Sequence, residues 1–188
     1  VTTTFYDRGH DGLPRRWITM MKDCIREVVP VFNTNRMVSE YNDRFYMPSY
    51  ERYKGLSEND RQRARDLAKW LEHLKDCWKR IKIEKVNVNG SAGHKVGQIV
   101  EVDVTVNIDN LKASDLAVQV FHGPVKADED IKQGEIIDLE LVKQEGSIGL
   151  FRGGIQLTGS GKVGVAVRIL PSHPDLIHPI LTGNILWA

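Results

Sequence analysis

Two hydrophobic rhythms divide the chain. Up to about residue 80 apolar positions recur every three or four residues, and from Ile81 onward they alternate with polar ones. The first spacing places apolar side chains on one face of a helix, and the second places them on one face of a strand. The change predicts two units, a helical one at residues 1–80 and an all-β one at 81–188. The fold class expected is α+β.

Three helices are legible. The first opens at Leu13-Pro14, carries Trp17, Met20, Met21, Cys24, Ile25 and Val28 on its stripe, and is expected to stop at Pro30. Proline suits a first helical turn because its missing N–H would have no partner there. Asn33 or Thr34 is expected to cap the second, with Met37, Val38, Tyr41 and Phe45 as its stripe and Pro48 as its end. The third starts at Ser57-Glu58-Asn59-Asp60, close to a capping box, with Ala64, Leu67, Leu71, Leu74 and Trp78 as its seam.

Seven strands follow. Val100 to Ile108 alternates without error against Glu101, Asp103, Thr105 and Asn107, as a half-buried antiparallel strand does. The others are Ile81 to Val88, Leu116 to Val120, Ile137 to Leu141, Ile148 to Leu157, Val163 to Ile169, and Ile185 to Trp187. Short strands separated by Gly, Asn and Asp predict a sandwich of immunoglobulin or fibronectin type.

Composition is globular: 41% hydrophobic and 27% charged. No apolar run is long enough to span a bilayer, no leader pattern is visible, and the start at Val1 suggests a piece of something longer. The helical half carries 16 Lys/Arg against 12 Asp/Glu and the β half 10 against 13, which is too even to point to nucleic acid. Cys24 and Cys77 lie on apolar stripes without a Cys-x-x-Cys spacing, and two buried free thiols in a cytosolic protein are expected.

Four features bear on chemistry. His173-Pro174 and His178-Pro179 form a pair read as loop histidines rather than metal or acid–base groups. Asp7-Arg8 with Asp11-Gly12 could hold phosphate or sugar, but a loop salt bridge is preferred. The glycine-dense stretch from Gly146 to Gly164 is flanked by strands on both sides, so it is read as hairpin turns rather than a phosphate cradle. Phe121-His122-Gly123-Pro124 and Trp187 could stack on sugar rings, with packing the plainer reading.

The series Phe5-Tyr6-Asp7-Arg8, Gly12-Leu13-Pro14-Arg15-Arg16-Trp17-Ile18 and Met21-Lys22 continues through Pro30-Val31-Phe32-Asn33-Thr34-Asn35-Arg36-Met37-Val38-Ser39-Glu40-Tyr41 to Phe45-Tyr46-Met47-Pro48. It resembles the C-terminal region of the bacterial and archaeal α-glucan phosphorylases. The ending, from Arg168-Ile169-Leu170-Pro171 through His173-Pro174 to Gly183, Ile185 and Trp187-Ala188, resembles the close of that group's extra C-terminal domain.

The resemblance implies a pyridoxal-phosphate glycosyltransferase of the cytoplasm that releases glucose 1-phosphate from α-1,4-glucans. Its fold would be two Rossmann-like domains, with residues 1–80 as the helical tail of the second and 81–188 as a non-catalytic sandwich. The cofactor lysine would lie upstream, so no catalytic, cofactor-binding or metal residue is assigned and the fragment is expected to be inactive alone. Its implied partners are the rest of the phosphorylase chain, with glucan and phosphate as the parent's substrates and neither nucleic acid nor membrane. The isolated piece is expected to self-associate through its helices or to leave their aromatics exposed. The sandwich is expected to serve assembly or stability. A glucan-binding module and a free-standing interaction protein are the alternatives.

Overall fold

Strand β2 (Ile99–Asn107) shows how directly the alternation becomes structure. Its inward valines, Val102, Val104 and Val106, are fully buried, while Glu101 on the other face is exposed. The computed structural model describes residues 2–90, 93–125, 130–131 and 133–188. It divides into two compact units, Val1–Ala64 and Arg65–Ala188.

The second unit contains β1 (Lys82–Val88), β2, β3 (Leu116–Pro124), β4 (Glu135–Asp138), β5 (Glu140–Glu145), β6 (Ile148–Gln156), β7 (Val163–Pro171) and β8 (Leu186–Trp187). They form two four-stranded sheets, in the orders β1-β2-β6-β5 and β4-β3-β7-β8, with every pair antiparallel. Val102, Val104, Phe151 and Ile155 of one sheet join Val118, Val120, Val167 and Ile169 of the other in one buried cluster. The two sheets therefore face each other across a shared core, and the architecture is helices followed by two antiparallel sheets.

One expected strand is two. The alternation of Ile137, Leu139 and Leu141 predicts a single run, but β4 pairs with β3 in one sheet and β5 with β6 in the other. Leu139 is the crossing point. Its side chain is buried and its N–H donates to the Val118 carbonyl at 2.8 Å. Alternation survives a change of sheet, so the pattern could not reveal it.

The long helix α4 (Met47–Trp78) bears on the same core. Leu74 and Cys77 are 1% and 2% exposed and belong to the cluster that holds Val102 and Val118. Trp70 donates from its indole N–H to Asp115 at 3.0 Å. Residues 65–78 thus close one end of the sandwich, so the compact unit begins upstream of the change in rhythm at Ile81.

The first unit holds α1 (Thr2–Tyr6), α2 (Arg15–Glu27), α3 (Thr34–Tyr41) and the start of α4. Asn33 caps α3 as expected, accepting from the Arg36 N–H at 2.8 Å. Pro48 does not end that helix. A π turn at Asn42–Tyr46 widens the helix just before it, and such a bulge relieves the clash and the missing donor that proline brings. The break comes later, where Glu58 is extended and Asn59, Asp60 and Arg61 all have positive φ. Asn and Asp tolerate that conformation better than most residues, which fits the position of the expected third helix start.

Among the described residues of this unit none is buried. Ile25 is 60% exposed, Phe32 73% and Phe45 57%. Cys24 is exposed too, which corrects the expectation of two buried thiols; only Cys77 is buried. The stripes have the pattern of a core-facing surface, and nothing described covers them.

Candidate functional site

The sequence candidates settle into structural tasks. His173 accepts from the Asp175 N–H at 3.1 Å, and its ring lies 4.7 Å from that of Trp70. His178 accepts from the Ile180 N–H at 3.3 Å and caps the short 3-10 turn Pro179–Thr182. The two histidines each hold a local turn. Asp11 pairs with Arg15 and accepts from the Leu13 N–H, while Arg8 donates to the Gly12 carbonyl at 3.0 Å and sits over the Phe5 ring. That is the loop salt bridge rather than a phosphate seat. The glycine-dense stretch contains β6 and β7, so no helix follows it to present free N–H groups.

One constellation escaped the sequence reading. His73 and Cys77, four apart on α4, bring the sulfur to 3.8 Å from the imidazole nitrogens. The signal was available in the i,i+4 spacing. Burial pushes the Cys77 thiol up, with the Asp109 carboxylate adding to the effect, so this sulfur is not an activated nucleophile. Beside it Arg80 donates twice to Asp109, at 3.0 and 2.8 Å. That hydrogen bond holds the Asp109 carboxyl below its ordinary range. The group is a clasp at the helix-covered end of the sandwich.

The other end is hollow. A cavity of about 320 Å³ lies where β3, the start of β4 and the β6–β7 connection meet. His122 lines it from the inward-facing row of β3 that also carries Val118 and Val120. The ring is 7% exposed, and its Nε2 is buried without a hydrogen-bond partner. In register, His122 stands opposite Glu135 on β4 and Val165 on β7. Gly123 admits the chain here, because a Cβ at that position would collide with the backbone oxygen of Gln133. Phe121, which with His122 could stack on a sugar ring but is read more plainly as packing, lies on the opposite row of β3 and does not line the cavity. Trp187 is half exposed on the short edge strand, with the Arg168 guanidinium 5.7 Å from its ring centre.

The profile of the glycogen phosphorylase C-terminal domain matches residues 78–188, more than half of the chain. The chain belongs to that family. Maltodextrin phosphorylase of Thermococcus litoralis is 30% identical over all of this chain, and glycogen phosphorylase of Mycobacterium tuberculosis is 27% identical over 94% of it. Glycogen phosphorylase of Aquifex aeolicus is 39% identical over a shorter stretch of 46 residues. The chain spans about a fifth (21%) of the length of the first two curated relatives. Because those alignments run well beyond the matched domain, this family member shares its helical unit with phosphorylases as well as its sandwich.

Proposed function

We propose that this chain is the C-terminal, non-catalytic part of a cytoplasmic α-glucan phosphorylase, a glycosyltransferase that releases glucose 1-phosphate from α-1,4-glucans. The observation that carries the reading is similarity to a maltodextrin phosphorylase along the whole chain. The helices of the first unit are read as the tail of the second Rossmann-like catalytic domain. Their exposed stripes support this, since burying such side chains contributes roughly 1.5–3 kcal/mol each and the rest of the parent chain is the natural cover. The sandwich is read as immunoglobulin-like. Its order of β1-β2-β6-β5 against β4-β3-β7-β8 supports that, being a constant-type ABED and CFG arrangement with one added strand.

The parent would use pyridoxal phosphate. A lysine that holds such a cofactor as a Schiff base sits in an enclosed site, whereas every lysine among the described residues is exposed. The residues described do not fit the cofactor, and no catalytic role is assigned to them. For the sandwich, assembly or stability is the first reading. Of its three aromatics Phe151 is buried, and apolar side chains stand exposed on its edges, as at Ile136 and Val142. A glucan-binding role is favoured by a different observation, the cavity at His122. Nucleic acid and membrane are not proposed as partners, and no described helix is long and apolar enough to cross a bilayer.

The test is the reading frame upstream of Val1 and the protein it encodes. A glycine-rich segment with a cofactor-binding lysine is expected there. The longer protein should release glucose 1-phosphate from maltodextrin and phosphate, and the 188-residue chain should release none. Phosphorolysis by the short chain, or an upstream frame without such a lysine, would overturn the proposal.

A further inference from the structure

The connection between β7 and β8, residues 172–185, turns aliphatic side chains to solvent. Ile177 is 71% exposed and Leu181 72%, and Ile180 and Ile185 are exposed beside them in sequence. Four aliphatic residues thus stand in water within nine positions. From Pro174 to Ala188 the one Asp, Glu, Lys or Arg is Asp175. Apolar side chains gathered together and depleted of charge have the composition of an interface core, not of a solvated loop.

The loop is ordered by its own hydrogen bonds. The Leu181 N–H donates to the His178 carbonyl at 3.1 Å and the Gly183 N–H to the Ile180 carbonyl at 3.0 Å. The Thr182 hydroxyl donates to the Pro179 carbonyl at 2.8 Å. Gly183 ends the turn at a φ of 73°, where the missing Cβ is an advantage. At the start of the loop the Ser172 N–H donates to the Asp115 carbonyl at 2.8 Å, and His173 lies against Trp70 of α4. A backbone satisfied in this way holds its side chains outward. It is also fastened to the helix through which the chain arrives from upstream.

We infer that this loop is a docking surface for the polypeptide that precedes Val1, where an apolar, uncharged surface covers Ile177, Ile180 and Leu181. Size selects that occupant. A stable interface between separate chains uses roughly 20–30 residues a side, and a patch built on four aliphatic side chains is too small to hold a second copy or a free partner. A tethered surface escapes that requirement. The covalent link keeps it at high effective concentration and removes most of the entropy lost in association. The chain spans 21% of the length of its curated relatives. On the phosphorylase reading, on which this inference rests, most of the polypeptide therefore lies upstream and supplies the cover. The loop then latches the sandwich to the catalytic body.

The experiment compares the 188-residue chain with the longer protein, each carrying Leu181→Cys. Both are treated with a maleimide, and labelling at position 181 is read by peptide mass spectrometry. The short chain is expected to label fast, and the longer protein roughly tenfold or more slowly, because a thiol covered by an apolar surface is inert. That protection should not depend on protein concentration. The double variant Ile177→Asp and Leu181→Asp should leave the melting temperature of the short chain unchanged, since both positions are exposed there, and lower that of the longer protein. If the double variant fails to fold in the longer protein, labelling at 181 decides. Equal rates in the two chains, fast or slow, overturn the inference. So does protection that appears only as the mass doubles, which would make a second copy the occupant. Phosphorolysis by the longer protein is measured separately. Protection at 181 without phosphorolysis removes the phosphorylase reading and leaves the docking, whereas phosphorolysis without protection removes the docking alone. An upstream frame too short to encode a further domain overturns both.

Discussion

At the residue scale, burial decides what each polar group can do. Cys24 and Cys77 have the same sequence signature, a cysteine on an apolar helical stripe, yet one is exposed and the other is 2% exposed with its thiol pushed up by burial. In the native chain a thiol reagent at pH 8 should therefore modify Cys24 rapidly and Cys77 only after unfolding. Fast reaction of both sulfurs in the folded protein would refute this. The clasp beside Cys77 has a pH signature. Asp109 titrates below its ordinary value because Arg80 hydrogen-bonds its ionised form. Its contribution is thus complete above the unfolded carboxylate value of about 3.9 and is lost as pH falls through the lower, folded value. Asp103, held low by Arg152 on the outer face of β2, adds the same sign. Asn at position 109 tolerates the positive φ of 51° as Asp does, so Asp109→Asn isolates the charge. That variant should be less stable than the parent at pH 7, with a smaller deficit at pH 2, by urea unfolding at each pH. An equal deficit at both would mean that packing, not charge, is the source.

At the element scale, residues 65–78 are the part whose role the hydrophobic rhythm hides. Their seam reads as one more helix of the first unit, but Leu74 and Cys77 complete the sandwich core together with Ile81, Ile108 and Leu111. Leu74→Ala should destabilise the Arg65–Ala188 unit by about 2–5 kcal/mol, the range for a leucine removed from a packed core. A chain beginning at Arg65 should melt cooperatively, whereas one beginning at Ile81 should melt lower and bind more of a hydrophobic dye. Equal melting of the two chains would instead place the boundary at 80/81.

At the scale of the whole molecule, the two units differ in what covers them. The second has a continuous buried cluster, and the first has no buried residue among those described. Solvent-facing stripes of this size drive association when their intended cover is absent. The 188-residue chain should therefore show a mass that rises with concentration in analytical ultracentrifugation. Met21 and Ile25 are 49% and 60% exposed, so replacing both with serine should return the chain toward monomer without loss of fold. Trp187→Ser, in the sandwich, should leave association unchanged. A chain that is monomeric at every concentration would count against an uncovered helical face and against its reading as a piece of a catalytic domain.

The local physics of the chain was legible without coordinates. Period two placed β2, β3, β6 and β7 correctly, because a strand with one buried face writes its pleat into the sequence. Asn33 announced its cap for the same reason, since the group it satisfies lies three residues away. The phosphorylase resemblance was likewise carried by contiguous motifs. What required tertiary structure was every property set by distant partners. Leu139 moves from one sheet to the other because Val118 accepts its N–H, a contact 21 positions away in sequence. Leu74 belongs to the sandwich because it shares one buried cluster with Ile108 and Leu111, and Pro48 sits inside a helix because a π turn precedes it. His122 reads as one more residue in an alternating strand. Only the packing of β4 and the β6–β7 connection around it leaves its nitrogen buried, unpartnered and beside a cavity, and no local pattern encodes an unfilled space.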